Sequence, residues 1–230
     1  RLQKLQDYDS YLAQLQKELK QRRQELEAAA EQLSSERKAQ ALQLEKAIET
    51  ELKDLNFAEV QFQIHFDKLA DYTAEGVDDV EFLISMNPGQ PVKPLAEVAS
   101  GGELSRTMLA IKTVMADRDE IETLIFDEID VGISGRTAQK VSEKMAVIGR
   151  NHQVICITHL AQIAAQADQH YLIEKTVDGG VTRTEIRKLS EEESIDELAR
   201  ILGGAEITET VRMSAREMKS MVKSNTVKNK

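Results

Sequence analysis

Leu5, Leu12, Leu19, Leu26 and Leu33 recur at a seven-residue interval, with Tyr8, Leu15, Arg22, Ala29 and Glu36 three positions further on. Such a repeat lays one apolar seam along a helix, and the opening residues predict one strand of a coiled coil that weakens toward Glu36. Gln, Glu, Lys and Arg fill the positions between, and neither proline nor glycine occurs before Gly76, so the helix has no stop signal until after Leu55. A helix of roughly 55 residues is far longer than one that merely rests on a globule. The seam needs a partner, either an antiparallel return segment or a second copy of the chain. Because the chain opens at Arg1 already inside this repeat, it is expected to be a piece of a longer protein.

At Glu59 the period changes from seven to two. Val60, Phe62, Ile64 and Phe66 alternate with Glu59, Gln61, Gln63 and His65, the pattern of a half-buried strand, and Val80 to Met86 reads as a second one. Asn87-Pro88-Gly89, with Pro91 and Pro94, predicts a turn and an extended loop. Helix and strand then alternate. A helix follows Ser100, with Leu104, Met108, Ile111 and Met115 as its apolar face. Thr123 to Phe126 is a continuously apolar strand, Ser134 to Ile148 a helix, and Gln153 to Thr158 another apolar strand. Continuously apolar strands separated by helices predict a parallel sheet covered on both faces. A hairpin is expected from Tyr171 to Lys188 about Asp178-Gly179-Gly180, followed by helices near Ser194 to Leu202 and Glu209 to Val222. The expected organisation is an arm segment, residues 1–56, and an α/β lobe, residues 57–230.

Composition narrows the function. Lys and Arg number 30 against 40 Asp and Glu, a net charge of −10, which argues against a surface generally attractive to phosphate backbones. Any nucleic-acid contact is therefore expected to be local. The Lys- and Arg-rich tail after Arg212 reads as a solvated end. No apolar run approaches the roughly 20 residues of a membrane span, so no membrane partner is expected. The single cysteine, Cys156, stands in the apolar run Val154-Ile155-Cys156-Ile157 and reads as a core residue in a reducing cytoplasm.

Three groups of residues carry chemistry. Ser100-Gly101-Gly102-Glu103 opens a helix, where free backbone N–H groups and the positive end of the dipole favour an anion; the glycines admit close approach, and the Ser100 hydroxyl adds a donor. A Gly-Gly before a helix is equally often only a tight turn. Asp127-Glu128 closes an apolar strand where both acids can turn into a nucleotide crevice: Asp127 suits Mg2+ held through water, and Glu128 suits a water-positioning base. Ile129-Asp130-Val131-Gly132 follows, leading to Ser134 as a helix cap. Thr158-His159 ends the next apolar strand at the equivalent place, from which His159 can reach a phosphate or orient the water. His152 and His170 flank strands and read as structural, and His65 on the polar strand face has no assigned role.

In this order and spacing the groups resemble the ABC ATPase superfamily. Ser100 to Glu103 is similar to the signature motif, Leu124 to Glu128 to the Walker B strand with its catalytic glutamate, Ile129 to Gly132 to the D-loop, and His159 to the switch histidine. Asn87 to Leu95, Val98 to Arg106, Phe126 to Ala138, Thr158 to Ala165 and Ala199 to Gly204 resemble more specifically the RecN family of SMC-like ATPases. Ala161 stands where the family pattern has proline, and Gln90 where glutamate is commoner.

The resemblance implies the C-terminal lobe of an ABC/SMC-type ATPase head. ATP would lie between two heads of a homodimer, with Ser100 and the amides of Gly101 and Gly102 on the γ-phosphate across the interface, Glu103 among the ATP-binding residues and Asp130 in communication between sites. It further implies action on DNA double-strand ends in recombinational repair, with the recombinase as a partner. No Gly-x-x-x-x-Gly-Lys-Ser/Thr occurs in the 230 residues, so the Walker A half would come from the protein's own N-terminal segment, and this chain alone is expected to be inactive. Two alternatives stay open. A transporter ATPase subunit shares these motifs but has no leucine-heptad arm leading into strands, and a structural dimerisation module would have lost some of the acids, the histidine or the signature.

Overall fold

In a computed structural model the chain is described over residues 2–87, 89–98, 100–178, 181–204 and 207–228. Pro88 and Ala99 of the quoted motifs, and Gly179 and Gly180 of the predicted hairpin turn, lie outside the described residues. Helix α1 runs from Leu2 to Asp54 without interruption. Leu12, Leu15, Leu19, Leu26 and Leu33 are exposed along it, so the seam lies open over its distal part. The helix ends where Asn56 takes the left-handed conformation, φ 73°. Phe57 N–H then donates to Leu52 O at 3.2 Å and Asn56 N–H to Lys53 O at 3.3 Å, the paired bonds of a Schellman cap.

Strands β1 (Gln61–Thr73) and β2 (Gly76–Ser85) form an antiparallel hairpin, with the short β3 (Lys93–Pro94) on the far side of β2. Val60 and Phe62 are buried and Gln61, Gln63 and His65 are exposed, as the alternation requires. β1 is an edge, and its outward N–H groups would be a template for unwanted pairing. The arm closes it. Phe62 N–H donates to Glu49 Oε1 at 3.0 Å and Ile64 N–H to Glu45 Oε1 at 2.7 Å, two acids one helical turn apart meeting two amides two residues apart. Further out, Asp78 accepts from Ser34 Oγ at 2.6 Å and from Arg37 Nη1 at 3.1 Å; these partners, Ser34 foremost, hold its carboxyl below the ordinary range. Gly76 (φ +104°) lies so close to α1 that a Cβ would stand 3.2 Å from Leu33 Cδ2.

Helix α2 (Gly101–Met115) leads to β4 (Thr123–Phe126), and α3 (Gly135–Ile148) to β5 (Gln153–Cys156). β4 and β5 pair in parallel, Thr123 opposite Gln153 through Phe126 opposite Cys156. One expectation fails here. Leu124, Phe126, Val154 and Cys156 face the core, but Ile125 is 67% exposed, Ile155 44% and Ile157 49%, so this chain covers only one face of the parallel pair. The apolar face assigned to α2 is also corrected. Its buried residues are Gly102, Arg106, Thr107, Leu109, Ala110 and Ile111, whereas Met115 is exposed.

The main core joins Leu109, Phe126, Val141 and Ile148 to Phe62 and Ile84 and to Ile48, Leu52 and Leu55 of α1. The last turns of the arm are thus core residues of the lobe. Lys144 of α3 adds ion pairs to Glu51 and Asp54. His152 sets both ring nitrogens against carbonyls, Nδ1 2.7 Å from Ile121 O and Nε2 2.9 Å from Ala116 O, and these contacts raise its pKa by favouring the doubly protonated ring. After the short α4 (Ala161–Ala164), the hairpin β6 (Tyr171–Asp178) and β7 (Val181–Lys188) precedes α5 (Glu191–Gly203) and α6 (Glu209–Lys228). Helices α4, α5 and α6 share a second cluster built on Ala161, Ile195, Leu198, Ala199 and Ala215. Helix α5 starts three residues earlier than expected because Ser190 and Glu193 form a capping box, which with Arg187 holds the Glu193 carboxyl down to about 2. No described helix is long and apolar enough to cross a membrane.

Replacing Glu45 and Glu49 together by alanine leaves two edge amides without acceptors. Urea unfolding is expected to show a loss of about 2 kcal/mol per acid, the usual worth of a hydrogen bond to a charged group. The double glutamine variant, which keeps a carbonyl acceptor at each position, loses less.

Candidate functional site

The end of β4 and the start of α2 meet through contacts that need small residues. Gly102 lies under the loop after β4, and a Cβ there would stand 3.0 Å from Glu128 O and 3.1 Å from Val131 Cβ. A Cβ on Gly101 would collide with the Glu128 carboxylate itself, which rests at the helix start. A negative group is favoured there by the free amides and the helix dipole. Ser105 Oγ donates to Asp127 O at 2.8 Å, and Arg106 Nη1 donates to Val131 O at 2.8 Å, with a longer contact to Ile129 O at 3.5 Å. Glycines and side chains together weld the helix to the acidic loop.

Ser100 occupies the N-cap of α2 with extended backbone, and its hydroxyl makes no bond to its own helix. Ser134 likewise sits at the N-cap of α3 without capping through its side chain. Asp127 and Glu128 are both exposed. The chain turns sharply between them: Asp127 Oδ1 accepts the Glu128 N–H at 2.8 Å, and Glu128 adopts φ 56° in the left-handed region. A glutamate held there is strained by about 1 kcal/mol or more, a cost that concentrates at sites whose side chain must point one way.

Asp130 is buried, and its Oδ2 accepts two hydrogen bonds from the neighbouring strand end and lies within ion-pair distance of a third nitrogen. Thr158 Oγ1 lies at 2.6 Å, His159 N at 2.8 Å and His159 Nδ1 at 3.0 Å. The His159 side chain is 73% exposed, with Nδ1 turned toward Asp130 and Nε2 on the far side of the ring. Asp130 therefore acts on His159 of its own chain. Cys156, beside these acids, has its thiol pushed up to about 12, first by burial and then by Asp130 and Asp127, which disfavours the reactive thiolate.

The structure brings Gly101, Gly102 and Glu128 together and joins Asp130 to His159, while Ser100 and Glu103 lie at and just inside the helix start. Sequence reasoning gave no role to Ser105 or Arg106 and named Thr158 only as the neighbour of His159. A charge on the buried stripe that includes Gly102, Leu109 and Ala110 was the available signal for Arg106. Among the described residues no group of three or more His, Cys, Asp or Glu is placed to hold a metal ion. The exposed carboxylate of Asp127, beside that of Glu128, is compatible with a hard cation that keeps most of its waters and takes further ligands from a bound phosphate, as Mg2+ does.

No protein-family model matches the chain. It is 44% identical over 214 residues to the DNA repair protein RecN of Halalkalibacterium halodurans, covering 91% of this chain and 38% of that protein. It is 38% identical over 232 residues to RecN of Bacillus subtilis, covering 94% and 40%. The chain belongs to the RecN family. RecN of Vibrio cholerae is 43% identical over 192 residues, 83% of this chain and 35% of that protein. The chain thus spans about two fifths of the length of these curated RecN relatives, and it corresponds to the C-terminal half of RecN. Among solved structures, the Smc head domain with a coiled coil and joint from Pyrococcus yayanosii superposes with a TM-score of 0.49 at 24% identity. The match covers 70% of this chain and 29% of that one.

If Asp130 orients His159, Asp130→Asn in the full-length protein is expected to lower kcat for ATP at least tenfold while leaving KM within about twofold, the pattern of a group acting on the chemical step. A rise in KM at unchanged kcat would place Asp130 in nucleotide binding.

Proposed function

We propose that the chain is the C-terminal half of an SMC-like ATPase that acts in DNA double-strand break repair, with residues 1–56 as an arm segment and residues 57–230 as a head lobe. The observation that carries this reading is the weld between the Gly101-Gly102 helix start and the Asp127-Glu128 strand end, with His159 held by Asp130 at the same edge of the parallel pair. RecN relatives are DNA repair proteins, and the arm running directly into β1 and β2 supports an arm-bearing ATPase over a transporter subunit.

The exposed Ile125, Ile155 and Ile157 form an apolar face beside the acids, and the protein's own N-terminal Walker A half would cover it and supply the phosphate-binding loop and lysine. The signature group, Ser100 with the amides of Gly101 and Gly102, would reach the γ-phosphate of ATP held by the other head of a homodimer. Asp127 would hold Mg2+ through water, an ion that neutralises charge on the phosphates. Glu128 accepts a proton as the attacking water bonds to the γ-phosphorus and the bond to ADP breaks, giving ADP and phosphate. His159 Nε2 orients that water or the phosphate, and Asp130 fixes the ring. Closing of the heads would draw the arms together around broken DNA, in the cytoplasm at the nucleoid, with the recombinase as a further partner.

The test is hydrolysis by the full-length protein, with and without linear duplex DNA. Glu128→Gln is expected to lower kcat at least a hundredfold while ATP still binds and dimers accumulate. An unchanged rate would remove Glu128 from the chemistry and leave a structural dimerisation module.

A further inference from the structure

Arg106 is 8% exposed, and burial pulls its pKa down against the opposing charge of Glu103. Its guanidinium carbon lies 5.3 Å from the centre of the Phe57 ring, the first residue beyond the Schellman cap that ends the arm. Its Nη1 donates to the carbonyl of Val131 and makes a longer contact with that of Ile129. Those two carbonyls flank Asp130, which holds Thr158 and His159. Its Nε is buried with no partner among the described residues. A buried cation with an unsatisfied donor is a poor stabilising element, and an apolar side chain of the same length would serve packing better. Arginine is nevertheless the side chain suited to lying flat on a ring while its edge donates to a carbonyl, which lysine cannot do.

Resting on the ATPase reading above, we propose that Arg106 is a positioning residue that couples the base of the arm to the loop carrying Asp130. The path runs from Phe57 through the guanidinium to the Ile129 and Val131 carbonyls, then through Asp130 to His159. A tilt of α1 on α2 moves the ring, the guanidinium follows, and the loop shifts the imidazole relative to Glu128. Lys144, which pairs with Glu51 and Asp54 on the α3 side of the arm base, steadies the arm but does not reach the loop.

The experiment is a double-mutant cycle in the full-length protein, reading kcat and KM for ATP with and without linear duplex DNA. Linear duplex DNA, acting through the arms, is expected to raise kcat of the unaltered protein, and the absence of such a rise would overturn the coupling. Phe57→Leu removes the ring contact and is expected to keep basal kcat within about twofold while reducing that stimulation at least fivefold. Arg106→Met is expected to lower kcat about tenfold at unchanged KM, and in its background Phe57→Leu has no further effect. If the methionine variant does not fold, the cycle is run with Arg106→Lys, which keeps the charge and one donor and is expected to lose stimulation as Phe57→Leu does. Independent, additive effects, or changes confined to the melting temperature, would overturn the coupling. A Glu128→Gln protein that hydrolyses ATP normally sinks the ATPase reading instead; if Glu128→Gln is dead and the cycle additive, only the coupling fails.

Discussion

Helix α2 can lie against the acid-bearing loop only because residues 101 and 102 have no side chains. Gly102 admits the Glu128 carbonyl and Val131, and Gly101 leaves room for the Glu128 carboxylate. Everything at the site depends on that closeness. It brings Ser105 within reach of Asp127 O and Arg106 within reach of Val131 O, and these bonds fix the turn in which Glu128 takes its left-handed backbone. Glycine serves here by absence of volume more than by flexibility: φ is positive at neither position.

The arm belongs to the same physical unit. Ile48, Leu52 and Leu55 are core residues, and two acids of α1 satisfy the edge of β1. A rigid-body movement of the arm therefore has to break buried contacts or carry the β1–β2 hairpin with it. The arm's leverage enters the lobe over its last three turns and at Phe57, where Arg106 waits on the site side.

Much of this was legible in the sequence because the period of apolar residues is a direct record of what each face touches. The heptads gave α1, the alternation at Val60, Phe62 and Ile64 gave β1, and the order of signature, acids and histidine singled out residues that the fold brings to one edge of the parallel pair. The failures have physical causes. Ile125 and Ile155 read as buried because apolar strands in parallel sheets are covered on both sides, and here no second cover lies among the described residues. The buried face of α2 was legible only in part: Ile111 is buried and Met108 packs on the core, but the stripe also contains Gly102 and Arg106, residues that hydrophobic periodicity passes over. The start of α5 was recoverable from Ser190 and Glu193, whose three-residue spacing is a capping box and was overlooked. The bonds from Asp130 to Thr158 and His159 cross 28 and 29 residues, and no local pattern announces them.

The contacts of Gly101 with Glu128 lie within one chain, whereas the proposed chemistry has each signature serve ATP on the other subunit. Mixing two full-length variants separates these arrangements: Ser100→Arg, which blocks the signature, and a variant lacking the Walker A lysine. The account predicts that each alone is inactive and that a 1:1 mixture regains roughly a quarter of the wild-type rate, since half of randomly mixed dimers carry one intact site of two. If the mixture stays inactive while both variants fold and dimerise, the signature does not act across the dimer and the composite site is wrong.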